Sequence, residues 1–250
     1  YTQTSYHNTI CVDNRSHNWG RGKTDRWISN SGLDYVEGSH LYTKGIDRVR
    51  RVLFVKPDYW ILWDEVAGEG EHTSDQNWHF PADASIEGDQ SALSVRTRYA
   101  KGGNLLIRAI SPSQATSGYF DYLISGGKQV GVRDTEAKGW RLTASGPLPH
   151  AIAAVLYPYK GSTAPRVATR SLETSRSGSA SAVEVNAGDT TDYIIVRHGE
   201  AGEVSAPGMG LTVDGDVVIV TTRAGKPARV RGANVRSVVY GGETLVNHAE

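Results

Sequence analysis

No stretch of this chain holds an apolar i, i+3, i+4, i+7 stripe for three turns. Short runs rich in Val, Ile, Tyr, Trp or Thr recur instead from end to end, at 8–13, 49–56, 59–67, 93–98, 105–110, 119–125, 141–144, 152–157, 182–185, 193–197, 216–222, 229–230 and 237–240. Gly, Pro, Asp or Asn bounds each run, and the 28 glycines and 9 prolines are scattered as punctuation. This pattern predicts an all-β chain, a large antiparallel β-sandwich with little helix and at least about a third of its residues in strands. The Ser-rich stretch 171–181 reads as a polar connection. A break near 205–210 predicts residues 1–205 as the main antiparallel β-sandwich and 206–250 as terminal strands forming a small separate sheet. The 250-residue length fits one large β domain with a satellite.

Charge narrows the function classes. There are 27 basic and 27 acidic residues, a net charge of zero. That balance excludes a broad electrostatic footprint for nucleic acid or an anionic membrane, though not a local basic groove. No apolar run approaches the ~18–20 residues of a membrane helix. Residues 1–8 carry no signal-peptide pattern, so export processing is complete or the chain is part of something longer. The single cysteine, Cys11, excludes an internal disulfide.

The clearest local reading is a hairpin around Lys56-Pro57-Asp58-Tyr59. Pro at i+1 and Asp at i+2 suit a type I turn. With Lys56 opposite Tyr59, Val55 faces Trp60, Leu53 faces Leu62 and Arg51 faces Asp64. Phe54 then faces Ile61, Val52 faces Trp63 and Arg50 faces Glu65. Both faces are apolar near the turn, which predicts cover on both sides. Asp64 is read as a structural ion-pair partner for Arg51, with a catalytic carboxylate as the alternative. A three-residue loop would shift this register.

Eight histidines invite a search for metal ligands: His7, His17, His40, His72, His79, His150, His198 and His248. They include no HExxH and no HxH. His72 and His79, with Asp75 between them, could ligate a metal from adjacent turns. The alternative is a loop histidine and a strand-end histidine. Trp78 and Phe80 share one strand face, which leaves His79 with Asn77 and Asp75 on the polar face, suited to hydrogen bonding or ligand contact. There is no GxSxG, no phosphate-cradling loop and no Cys–His pair.

Three motifs occur in order: Ser5-Tyr6-His7-Asn8-Thr9-Ile10-Cys11-Val12-Asp13, the whole hairpin from Arg51 to Val66, and Glu71-His72-Thr73 through Asp75-Gln76-Asn77-Trp78-His79-Phe80. Together they resemble the heparinase II/III-like group of polysaccharide lyases, which includes oligoalginate, heparin and heparan lyases. The resemblance covers about the first 80 residues. It implies an antiparallel β domain that follows an N-terminal α/α toroid, with the active cleft between the two. This chain begins almost at the His-Asn-Thr motif, so it resembles the β domain alone.

The resemblance implies β-elimination on an acidic polysaccharide or oligosaccharide. A base removes the C5 proton of a uronic acid, a neutralising group holds the carboxylate, and an acid protonates the leaving O4. Tyr1 and Tyr6 are the candidate catalytic residues in this chain, and His79 is a candidate substrate contact. The family's zinc site carries over only onto His7, one ligand of several. Zinc is therefore implied for the intact enzyme and none for this chain alone. Where the family has Val-Asp-Gly, this chain has Val12-Asp13-Asn14, and Asn tolerates the left-handed conformation. His7 is expected to head the first strand on the Thr9–Cys11 side, away from Ile10 and Val12. Partners expected are the glycan and the toroid segment, with no nucleic acid and no membrane, in a periplasmic or secreted setting. The competing reading is a non-catalytic carbohydrate-binding or scaffolding module, which six tryptophans allow, although Trp60 and Trp63 belong inside the hairpin. A self-sufficient lyase or hydrolase would need a base, an acid and a neutralising group from this chain alone, and no such set stands out.

Overall fold

A computed structural model describes residues 3–18, 20, 22–110, 115–124 and 134–248. Strand accounts for 66% of them. Helix is confined to two 3-10 turns, Thr4–Tyr6 and Pro207–Met209. The strand pairs among the described residues are antiparallel, as the turn-bounded runs predict. No helix among the described residues is long and apolar enough to cross a membrane.

The chain divides into two compact units. The first comprises Tyr1–Trp27, Tyr35–Ala109 and Ser113–Ala164. Its strands are β1 (Ile10–Val12), β2 (Lys23–Ser29), β3 (Leu33–Thr43), β4 (Ile46–Val55), β5 (Tyr59–Gly68) and β6 (Glu71–His79), then β7 (Ile86–Asp89), β8 (Ser94–Thr97), β9 (Gly103–Ala109), β10 (Thr116–Ile124), β11 (Thr135–Pro147) and β12 (His150–Lys160). They make a four-stranded sheet, β1-β6-β11-β10, and an eight-stranded sheet, β2-β3-β4-β5-β12-β9-β8-β7. Ile10, Trp78, Trp140 and Leu142 of the smaller sheet share one apolar cluster with Leu62, Val66, Ile107 and Ile152 of the larger. The core thus lies between two sheets, and each large side chain buried there stabilises by about 1.5–3 kcal/mol.

The second unit takes in Pro165–Glu250, with Ile28–Asp34 and Ile110–Pro112. It repeats the principle at smaller scale. The strands Val167–Leu172, Ala180–Ala187, Thr190–Arg197, Val217–Arg223 and Lys226–Ala233 form a five-stranded sheet, and Val204–Ala206, Leu211–Asp214, Ser237–Tyr240 and Glu243–Asn247 a four-stranded one. Tyr193, Ile195, Val218 and Val220 cluster with Val204, Leu211, Val213 and Val238. The break expected at 205/206 falls inside the strand Val204–Ala206. Residues 206–250 do supply most of a small sheet, but Val217–Arg223 and Lys226–Ala233 join the other one. The apolar run Val217–Val220 is buried throughout, so it needs a neighbour on each edge, and Thr190–Arg197 provides one.

The hairpin forms where the sequence puts it, but its register differs by one residue. Val55 pairs with Tyr59, Val52 with Leu62 and Arg50 with Asp64. The connection has three residues, Lys56 to Asp58, and the Asp58 N–H donates to the Val55 carbonyl at 2.7 Å. Asp64 is therefore held by Arg50, not Arg51. Its two oxygens accept from Arg50 Nε and Nη2 at 2.7 and 2.6 Å, and Oδ2 also accepts from Gln76 Nε2 at 2.8 Å. Arg51 faces Trp63 and pairs with Glu37 at 2.5 Å and Glu65 at 2.8 Å. Both faces of β5 are buried along most of its length, as expected. A one-residue slip exchanges faces throughout a strand, so the predicted ion pair exists but with the neighbouring arginine.

Candidate functional site

The His-Asn-Thr motif is built by two arginines and a histidine. Arg48 and Arg50 project from β4 toward the segment that leads into β1. Arg50 Nη1 donates to the Asn8 carbonyl at 2.7 Å, and Arg48 Nη1 donates to Thr9 Oγ1 at 2.8 Å. The Asn77 N–H donates to the Thr9 carbonyl at 3.0 Å. Asn8 Oδ1 accepts the His79 N–H at 2.7 Å and lies 3.0 Å from His79 Nδ1. Asn8 and Thr9 are thus clamps, and His7 between them and the 3-10 turn remains exposed.

His7 does not head a strand. It follows the 3-10 turn Thr4–Tyr6, donates its N–H to the Thr4 carbonyl at 3.2 Å, and precedes β1 by three residues. The alternation argument fails because three consecutive β1 residues, Ile10, Cys11 and Val12, are all buried. The exposure of His7 arises from the turn instead.

The polar face of β6 is as expected, with Trp78 and Phe80 in the core. Strand pairing across that face aligns His79 with Gly139 and Phe120, and Asn77 with Arg141 and Gly118. The Arg141 guanidinium lies 4.5 Å from the Phe120 ring centroid and 3.4 Å from Asp75 Oδ2. Thr143 Oγ1 donates to Asp75 Oδ1 at 2.6 Å. Ser5, Tyr6, Asn77, Phe120, Tyr122 and Arg141 line a shallow cavity of about 180 Å³. Asn77 Oδ1 is buried with no hydrogen-bond partner among the described residues.

His79 orients this face from within. Its ring meets Phe120 and Tyr122 edge-on at 5.0 and 4.6 Å, and Nε2 is buried. Tyr122 is itself tied down through its hydroxyl to the Phe80 carbonyl. Burial lowers the His79 pKa, and the charges of His7 and Arg141 add to the effect while the Ser5 carbonyl opposes it. A neutral imidazole that donates from Nδ1 to Asn8 fits this setting. The sequence finds His79 through its alternation. It misses Arg141 and Phe120, because β11 meets β6 about 60 residues later in the chain and no local pattern announces that pairing.

Tyr6 lines the shallow cavity, whereas Tyr1 lies outside the described residues. His72 and His79 sit near opposite ends of β6, on opposite faces, so they do not share a metal. His72 pairs with Asp13 at 2.7 Å instead. His17 Nδ1 is bonded to Thr4 Oγ1 at 2.6 Å. Among the described residues no three His, Cys, Asp or Glu side chains converge as a metal centre. The donors of the described residues therefore do not compose a four-coordinate zinc site. Tryptophan stacking is limited as well: Trp63, Trp78 and Trp140 are buried, while Trp27 is 71% exposed.

Comparison with known proteins identifies the family. The family model described as "Heparinase II/III-like, C-terminal" matches residues 1–203. A heparin-sulfate lyase of Pedobacter heparinus is 25% identical over 174 residues, 68% of this chain and 26% of that protein. Another, from Bacteroides stercoris, is 21% identical over 116 residues, 46% of this chain and 17% of that protein. The solved structure of heparan sulfate lyase HepC from Pedobacter heparinus superposes with a TM-score of 0.70 at 19% identity, covering 80% of this chain and 31% of that one. That of a heparinase III gives 0.67 at 17% identity, covering 78% and 30%. The chain spans about a quarter of the length of the first of these relatives. By the family match over residues 1–203, this chain belongs to the heparinase II/III-like, C-terminal family.

Proposed function

We propose that the chain is the β domain of a polysaccharide lyase that cleaves uronic-acid-containing glycans by β-elimination. In this reading His7 and the polar face of β6, β11 and β10 form one wall of a cleft, and an α/α toroid forms the other. The observation that carries it is the constellation itself: Arg141, Asn77 and Tyr6 gathered round one cavity beside an exposed His7. The names of the relatives support an acidic glycan as the substrate.

The reaction removes the C5 proton, forms the C4–C5 double bond, breaks C4–O4 and returns a proton to O4. Its demanding step is stabilising charge on the uronate carboxylate as C5 is deprotonated. Arg141, fixed on Phe120 and by Asp75, offers a guanidinium for that carboxylate. Asn77 supplies polar lining at the same cavity. Tyr6 stands at its rim, where its hydroxyl can share a proton with a leaving oxygen. His79 is a positioning residue that sets Asn8 and hence the exposed His7. His7 would give one ligand to a zinc whose other ligands come from outside the described residues.

The test is His7→Ala in the enzyme that joins this chain to its toroid. Zinc content and lyase turnover should fall together. Equal zinc in wild type and variant would show that His7 is not a ligand and would leave only the fold in common.

A further inference from the structure

A second cavity, of about 830 Å³, opens at the other end of β6. That volume is in the range of small-molecule sites. The two cavities have no lining residue in common and lie on either side of one turn: Asn14 lines the first, and its neighbours Asp13 and Arg15 line the second.

The walls are fixed by local bonding. Val12 accepts the Arg15 N–H at 2.9 Å across a tight turn, with Asp13 and Asn14 both at φ 51. Asp13 accepts the Thr73 N–H at 3.0 Å and pairs with His72 at 2.7 Å. The Tyr42 hydroxyl accepts the Val12 N–H at 3.0 Å and donates to the Arg15 carbonyl. These bonds hold the Arg15 backbone from both sides, so its side chain starts from a set position. Lys44 enters from the β3–β4 turn, beside Gly45 at φ 83. Among the described residues no hydrogen bond involves the Arg15 guanidinium or the Lys44 ammonium, and Arg15 stands within electrostatic reach of Asp13 and His72. Val12, Tyr42 and Ile46 give buried apolar lining, and Ser16 and Glu69 add oxygen atoms.

We propose that this cavity is a second subsite for one anionic sugar residue of a glycan. A bare anion has no use for the apolar lining, and a neutral sugar has none for two cations. An anionic pyranose uses both: its carboxylate or sulfate meets Arg15 and Lys44, its face meets Val12 and Ile46, and its hydroxyls meet Ser16 and Glu69. The proposal rests on the acidic-glycan reading above and adds a second contact along the same polymer.

Isothermal titration of the 250-residue chain, with amide NMR shifts to locate binding, tests it. The probes are a sulfated heparan tetrasaccharide, its desulfated uronate counterpart and neutral cellotetraose. Wild type is compared with Arg15→Gln/Lys44→Gln and with Arg141→Gln, and circular dichroism verifies the fold of each. The expected result is binding of an acidic tetrasaccharide with shifts at Gly45 and Gly68. Arg15→Gln/Lys44→Gln should weaken that event about tenfold or more, and in Arg141→Gln the shifts at Gly45 and Gly68 should persist. Binding of the sulfated probe alone assigns the anion as sulfate, and binding of both acidic probes admits the carboxylate. Unchanged binding in Arg15→Gln/Lys44→Gln, with shifts confined to the His79 face, overturns the subsite but leaves the cleft reading intact. Cellotetraose binding as tightly at Gly45 and Gly68 overturns the anionic assignment. Absence of acidic-glycan binding at either face overturns both.

Discussion

Asp64 is only 2% exposed and is bonded to Arg50 and Gln76 inside the first unit's core. Removing Arg50 leaves that buried carboxylate without its ion-pair partner, so Arg50→Ala should destabilise the chain by about 3–5 kcal/mol in urea unfolding. A double-mutant cycle sharpens the test. Coupling should exceed about 1 kcal/mol for Arg50 with Asp64 and stay under about 0.5 kcal/mol for Arg51 with Asp64. Histidine titration by NMR gives a second prediction. His72 should titrate above its ordinary 6.5, raised first by its hydrogen bond to Asp13. His79 should titrate below it, because burial disfavours its charged form. The His72 contribution to stability is complete below pH 6.5 and is lost as pH rises through the raised value. His72→Gln should therefore flatten the fall in melting temperature above about pH 6.5. Asn14, at φ 51, bears out the tolerance for the left-handed region expected from its sequence. Asn14→Gly should change stability by under about 1 kcal/mol, and Asn14→Val should cost about 1–2 kcal/mol in the same unfolding assay.

At the scale of elements, the β10–β11 hairpin carries half of the proposed cleft face. Gly139 is the permissive point. A Cβ there would fall 2.1 Å from the Phe120 ring, and that ring supports Arg141. Gly139→Ala should displace Phe120 and cost about 1–3 kcal/mol in thermal unfolding. Gly139→Ala/Phe120→Ala should lose less than the sum of the two single changes. The apolar runs that became β4, β5, β9 and β12 were legible, because each is bounded by turn residues and rich in strand formers. The strands β2 and β3 were not. Asp25, Glu37, Gly38, Ser39 and His40 interrupt them, and their strand state comes from pairing in the larger sheet rather than from propensity. For the hairpin, position was legible and register was not, since a two-residue and a three-residue connection fit the same Lys56-Pro57-Asp58 sequence.

For the whole molecule, class was legible and division was not. Short, punctuated runs imply antiparallel sheets wherever they fall, but which sheet a run joins depends on partners far away in sequence. The strand Val217–Arg223 pairs with Thr190–Arg197 across the expected 205/206 break, which only tertiary contact decides. The candidate site behaves similarly. His7, Tyr6 and His79 were legible as residues, whereas their assembly with Arg141 depends on β6 meeting β11. The central claim is that this chain supplies one wall of a lyase cleft and needs the other wall for chemistry. The most direct measurement is the ultraviolet absorbance of unsaturated uronate, formed from heparan sulfate or oligoalginate, with the chain alone and with an α/α toroid domain joined ahead of residue 1. Product is expected only from the joined form, and Arg141→Ala should reduce it at least about 100-fold. Robust product from the chain alone would contradict the account, because a complete catalytic set would then lie within these 250 residues.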